Sequence, residues 1–204
     1  MSRRKFWDRH SWMYLYELTG DSRYLDQIEA EMEVIRHSLA KEEASPHSLS
    51  TEELYWTIPF YMAYETKIGK KENYHKLVQL LKQYGKDPKF SMQSDTPIER
   101  GWYLMTLVDT LDEMSETVYE HYRILQDLIR QIMRISGSTL YDSADLQGNV
   151  MAAYATMKAC SKTLISKEKY EDPAMQCLRE SDSVGLADGD LIRQIMAMGW
   201  EQRL

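Results

Sequence analysis

The sequence predicts an all-α chain of consecutive antiparallel helical hairpins, and three observations carry that prediction. Apolar residues recur at intervals of three and four over long stretches, which is the period of one helix face. Turn residues interrupt these stretches near positions 20, 69, 115 and 166, a spacing of roughly 50 residues that marks arrays of helical pairs. Only five prolines and nine glycines occur in 204 residues, too few for a turn-rich β protein. A single domain spanning 1–204, with about four hairpins, accounts for the length.

The elements follow in order. Tyr16-Glu17-Leu18-Thr19-Gly20-Asp21-Ser22-Arg23-Tyr24-Leu25 reads as a helix end, a glycine turn and a helix start. The return helix carries Leu25, Ile28, Met32, Ile35 and Leu39. Tyr64-Glu65-Thr66-Lys67-Ile68-Gly69-Lys70-Lys71-Glu72-Asn73-Tyr74 repeats the turn. Its return helix carries Tyr74, Leu77, Val78, Leu81 and Tyr84, with Gly85 at the stop. Asp112-Glu113-Met114-Ser115-Glu116 breaks the third pair, whose return helix carries Val118, Tyr122, Leu125, Ile129 and Ile132 before Gly137. Ser166-Lys167-Glu168-Lys169-Tyr170 opens the fourth. These striped segments are outer helices with one solvated face.

The leading segments differ. Trp56 to Met62, Trp102 to Val108 and Val150 to Ala155 are apolar on most sides, as inner helices must be. Pro59 should kink its helix or mark a late start. Segments 41–49, 86–95 and 138–147 each run from an outer helix to the next inner one, so they share one end of the bundle. Loops on a rigid scaffold commonly carry function. The stretch 181–204 is polar and irregular apart from a short helix, Leu191 to Met198.

Composition narrows the function. Apolar residues make up 43%, charged residues 28%, and the net charge is -7. That acidic balance argues against nucleic acid and anionic membrane surfaces as partners. Arg3, Arg4 and Lys5 suit a signal peptide's start, but Asp8, Arg9 and His10 interrupt any apolar run. No stretch is long and apolar enough to span a bilayer. Cys160 and Cys177 suit reduced, buried thiols in a cytoplasmic protein.

Chemistry-bearing residues gather at the loop-rich end. Ser50-x-x-Glu53 is a capping box, which leaves Glu52 free to face a cleft. Thr96-x-x-Glu99 is a second box, with Pro97 at the first helical position. Asp95, just before it, reads as a solvated loop acid or a catalytic one. Arg100 and Trp102 read as a surface charge and a core aromatic, or as a carboxylate clamp and a sugar-stacking platform. Asp142 and Asp145 suit Asx turns. Converging acids also suit glycoside hydrolysis, in which one protonates and another activates water. Of five histidines, only His47 lies in a loop at this end, and no pair has metal-ligand spacing. Phosphate-loop, Cys-x-x-Cys and nucleophile-elbow motifs are absent.

The order of residues resembles the unsaturated uronyl hydrolases, glycoside hydrolase families 88 and 105, which include the unsaturated rhamnogalacturonyl hydrolases. The Thr19-Gly20-Asp21 turn and its Tyr24-Leu25 start look like the family's recurring hairpin turn. Glu52-Glu53-Leu54-Tyr55-Trp56-Thr57-Ile58-Pro59-Phe60 looks like its acidic-acidic-Leu-Tyr-Met-x-x-Pro-Phe segment. Arg100-Gly101-Trp102-Tyr103-Leu104-Met105-Thr106-Leu107-Val108-Asp109-Thr110-Leu111 is similar to its Arg-Gly-x-Gly-Trp-Tyr-x-Met-x-Leu-Val-Asp-x-Leu segment. Asp145 to Ala155 looks like its Glu-x-Ser-x-Ser-Ala-Met-x-Ala-Tyr-Ala segment. The likeness runs in order from Trp12 to Tyr170.

The resemblance implies a shortened (α/α) toroid of the six-hairpin glycosidase type. It also implies removal of a 4,5-unsaturated uronic acid from an oligosaccharide, without a cofactor. An aspartic acid would protonate the enol-ether double bond and water would add. Asp95 is then the implied proton donor, Glu52 a carboxylate that positions water or contacts substrate, Arg100 the uronate clamp and Trp102 the stacking surface. Asp145, Asn149 and His47 are further substrate-binding candidates. The departures fall at the same end. Glu52 stands where the family has Asp, two residues are missing after Arg100-Gly101, and the loop up to Pro97 is short. A catalytically inactive helical-repeat protein that binds a carbohydrate or a protein is therefore the alternative. An open four-hairpin array also favours a homodimer.

Overall fold

A computed structural model of the chain describes residues 3–44, 48–87, 96–136, 140–141, 144–183 and 189–201. Among them every regular element is helical: α1 (Arg3–Thr19), α2 (Ser22–Ala44), α3 (Thr51–Lys67), α4 (Tyr74–Tyr84), α5 (Pro97–Glu113), α6 (Tyr119–Ser136), α7 (Leu146–Ser161), α8 (Lys167–Ser183) and α9 (Gly189–Glu201). None of these helices is long and apolar enough to cross a membrane.

The two kinds of helix separate as their patterns require. The stripe of α4, Tyr74, Leu77, Val78, Leu81 and Tyr84, is buried without exception. Ile28, Met32, Ile35 and Leu39 of α2 are buried likewise. Fully burying one such side chain contributes about 1.5–3 kcal/mol, so each stripe fixes its helix on the core. In α3, α5 and α7 burial is continuous instead, from Leu54 to Glu65, from Arg100 to Leu111 and from Gly148 to Met157. Helix α5 lies between α3 and α7 and packs extensively on both. Helix α1 packs mainly on α2, and α8 and α9 both pack on α7.

Two expectations need correction. Pro59 does not delay its helix, because α3 starts at Thr51 and runs through it. The segment beyond 181 is not simply irregular: α9 is longer than the pattern indicated and buries Ile195, Met196 and Gly199. The segment's alanine, methionine and leucine content signals a helix. Its docking on α7 is a tertiary event that no local pattern announces.

The hairpin turns show why the repeat is legible. Gly20 adopts φ +66, which glycine takes without a Cβ penalty. Its N–H donates to Tyr16 O at 2.8 Å. Asp21 then accepts the N–H of Arg23 at 2.9 Å and starts α2. The next two turns are tied together. Thr66 donates its hydroxyl to Glu113 O at 2.6 Å, and the Tyr74 hydroxyl accepts the N–H of Ser115 at 3.0 Å. Cys160 and Cys177 are free and buried, and burial pushes both thiols up to about 11.

Candidate functional site

The helix starts of α3, α5 and α7 converge. Thr51, the first residue of α3, donates its hydroxyl to Glu99 in the first turn of α5. A Cβ on Gly148 would lie 2.6 Å from the carbonyl carbon of Pro97, so only glycine lets the start of α7 lie this close to the start of α5. One turn further in, a Cβ on Gly101 would meet the Met151 Cβ at 2.7 Å. Behind this end, Glu42 accepts from Ser48 Oγ at 2.8 Å, from Leu49 N–H at 2.9 Å and from the Tyr84 hydroxyl at 3.0 Å. That buried carboxylate clamps the chain just ahead of α3. Burial and then Glu42 hold the Tyr84 phenol well above its ordinary pKa, so it stays a donor.

Arg100 stands out at this end. It is 9% exposed, yet its Nε meets no hydrogen-bond partner. Burial lowers its pKa, and among the described residues no neighbouring carboxylate raises it back. It also sits one turn into α5, the wrong end of the helix dipole for a cation. A guanidinium in that setting is complementary to an anion, and its planar fork suits a carboxylate in particular.

The other predicted residues fall into three groups. Glu52 is half-buried at the start of α3 and accepts the Trp56 indole N–H at 3.2 Å. Asp145 caps α7 by accepting the Gly148 N–H at 3.1 Å, and Asn149 is buried one turn later. These residues share the convergent end with Arg100. Trp102 instead lies in the core at 3% exposure. Its ring is 5.2 Å from Tyr55 and 5.4 Å from Trp56, so neighbouring aromatics occupy its surroundings rather than open space. Of its two sequence readings, the core aromatic is the one observed. Asp95, His47 and Asp142 lie outside the described residues.

The capping expectations divide. Ser50 and Glu53 form the full box. Thr96 makes no side-chain cap bond, and Glu99 reaches across to Thr51 instead. A long-range partner has displaced the local motif.

The opposite ends of α5 and α7 hold a network that no sequence motif marks. Lys158 lies 2.8 Å from Asp109 Oδ1 and 2.8 Å from Asp112 Oδ2. Tyr154 donates its hydroxyl to Asp109 at 2.7 Å, and Lys162 pairs with Asp112. Burial opposes the Lys158 charge, but Asp109 and then Asp112 outweigh it and hold its pKa above the ordinary range. Burial likewise opposes the Asp112 charge, and Lys158 and Lys162 bring its pKa below the usual value. The available signal was a set of charges inside otherwise apolar inner helices.

Two histidines on outer helices also meet. His121 Nε2 is 3.4 Å from His75 Nδ1, with the rings edge to face. Among the described residues no group of three or more His, Cys, Asp or Glu is placed to hold a metal ion. Comparison with family models, with curated proteins and with solved structures gives no match.

Proposed function

We propose that the chain is a glycoside hydrolase-like protein acting on oligosaccharides that end in an unsaturated uronic acid, with the convergent starts of α3, α5 and α7 as its substrate end. The carrying observation is Arg100, a buried guanidinium whose Nε has no hydrogen-bond partner and which has no ion pair among the described residues. A uronate carboxylate would supply that charge in the bidentate geometry guanidinium favours. Asp95, directly ahead of α5 in sequence, is the proposed proton donor, and Glu52 the second carboxylate. Protonation of the double bond followed by hydration needs no cofactor. In this reading the inner helices form an arc of a shortened toroid.

The second reading is a non-catalytic helical-repeat protein that binds a carbohydrate or pairs with another chain. Two observations favour it. Trp102 is enclosed by aromatics, and α1 presents Tyr14 and Leu18 one turn apart at 64% and 68% exposure.

The test is an assay on an unsaturated disaccharide, following loss of absorbance from the conjugated double bond. Hydrolysis that disappears in Asp95→Asn, with a raised KM in Arg100→Gln, supports the first reading. Hydrolysis unchanged in Asp95→Asn removes the proposed donor. Absent activity together with a dimer by light scattering favours the second reading.

A further inference from the structure

Away from the convergent end, α6 and the α7–α8 turn border an open surface hollow of about 430 Å³. Its described charged lining is of one sign: Arg130, Arg134 and Lys169, with no carboxylate among the described lining residues. This is unusual on a chain whose net charge is -7. Among the described residues none of the three cations has a carboxylate partner. Arg130 Nε donates to Leu164 O at 2.8 Å, and Lys169 lies 4.9 Å from the centroid of its neighbour Tyr170. Glu168 accepts the Ser166 hydroxyl at 3.3 Å but does not line the hollow. Arg130 and Arg134 stand one turn apart on α6, a like-charge arrangement that costs stability unless an anion offsets it.

The turn is built at a conformational cost. Thr163 adopts φ +56 beside the hollow, a left-handed conformation that a β-branched residue rarely takes. The Thr163 and Leu164 N–H groups close the α7 end on Cys160 O and Ala159 O at 3.0 and 2.9 Å. This places a hydroxyl where glycine is the usual choice. Ser166, just ahead of α8, and Lys169 in its first turn line the same hollow, near the positive end of that helix.

We propose that this hollow binds a phosphate group, free or carried by a small molecule. Three positive charges with no carboxylate partner among the described residues suit a dianion better than a single carboxylate, and two arginines suit its oxygens. The Tyr170 ring and Ile165 offer an apolar wall for whatever the phosphate is attached to. The site is independent of the uronyl reading, since it shares no residue with the Arg100 end.

Calorimetric titration of the full chain with inorganic phosphate and with phenyl phosphate tests it, alongside sodium chloride at matched ionic strength. Saturable binding of either phosphate is expected, weakened roughly tenfold or more in Arg134→Gln and in Lys169→Gln through loss of a charge-assisted contact. Arg130 is left intact because it also holds the turn. Tighter phenyl phosphate than inorganic phosphate identifies a phosphorylated small molecule as the ligand, and equal affinity identifies free phosphate. Without ligand, Arg134→Gln should melt at or above the wild-type temperature, since it relieves repulsion.

The proposal is overturned if chloride reproduces the effect, or if both variants bind phosphate as the wild type does. It is also overturned if Arg134→Gln is destabilised without ligand, or if heparin binds while neither phosphate does.

Discussion

Helices α5 and α7 carry a buried cation at each end of their shared interface, and the two are treated in opposite ways. Lys158 has two carboxylates at 2.8 Å and a tyrosine on one of them. Arg100 is 9% exposed, its Nε has no hydrogen-bond partner, and among the described residues it has no ion pair. A buried charge that is fully paired belongs to the fold, since removing one partner strands the other. A buried charge with no partner weakens the fold and is tolerated where something outside the chain completes it. The difference separates a scaffold end from a candidate binding end more clearly than any motif does.

The comparison breaks most visibly at Lys158. Lys158→Met leaves Asp109 and Asp112 without their shared cation and should cost about 3–5 kcal/mol in urea unfolding. A loss near zero would make the network ornamental and dissolve the contrast. The same network predicts an alkaline limit. The folded Lys158 pKa lies above its ordinary value, so its contribution is complete below about pH 10 and fades as pH rises through the folded value. Burial and then Asp109 raise the Tyr55 and Tyr154 phenols, which acts in the same direction, because only the unfolded chain ionises there. Urea midpoints between pH 8 and 11 (a range set by the ordinary values near 10) should fall for the wild type. They should fall less steeply for Lys158→Met.

At the other end, Gly148→Ala drives a Cβ against the Pro97 backbone. Overpacking of that kind costs about 1–3 kcal/mol, and a thermal melt with unchanged midpoint would mean the helix starts are not held together. Arg100→Met should have the opposite sign and stabilise by about 1 kcal/mol, because an unpaired cation leaves the interior. Destabilisation on the scale of Lys158→Met would show that Arg100 is structural after all. Ser50→Ala should have an effect of similar size and opposite sign to Arg100→Met, a cap loss of about 1 kcal/mol. It should lower the melting temperature without altering any ligand response, which separates cap from site.

Much of the fold was legible because its determinants are local. The α4 stripe was read residue for residue, and the Thr19-Gly20-Asp21 turn gave the hairpin its position. The Ser50 box was legible for the same reason, since its partners are three residues apart. Thr96 and Glu99 carry the same spacing, but Thr96 makes no side-chain cap bond and Glu99 accepts the Thr51 hydroxyl from the start of α3 instead. His75 and His121 meet across two helices with no hint in their sequence neighbourhoods.

By itself, the sequence determined which segments are helical, which faces are apolar and where the chain turns back. Helix periodicity, glycine conformation and capping all act within a few residues. Tertiary structure alone decided which charges are paired. Whether Arg100 and Lys158 find carboxylates depends on what neighbouring helices bring within about 4 Å, and that distance is set by packing between residues far apart in the chain. It also decided that Trp102 is enclosed and that α9 docks on α7.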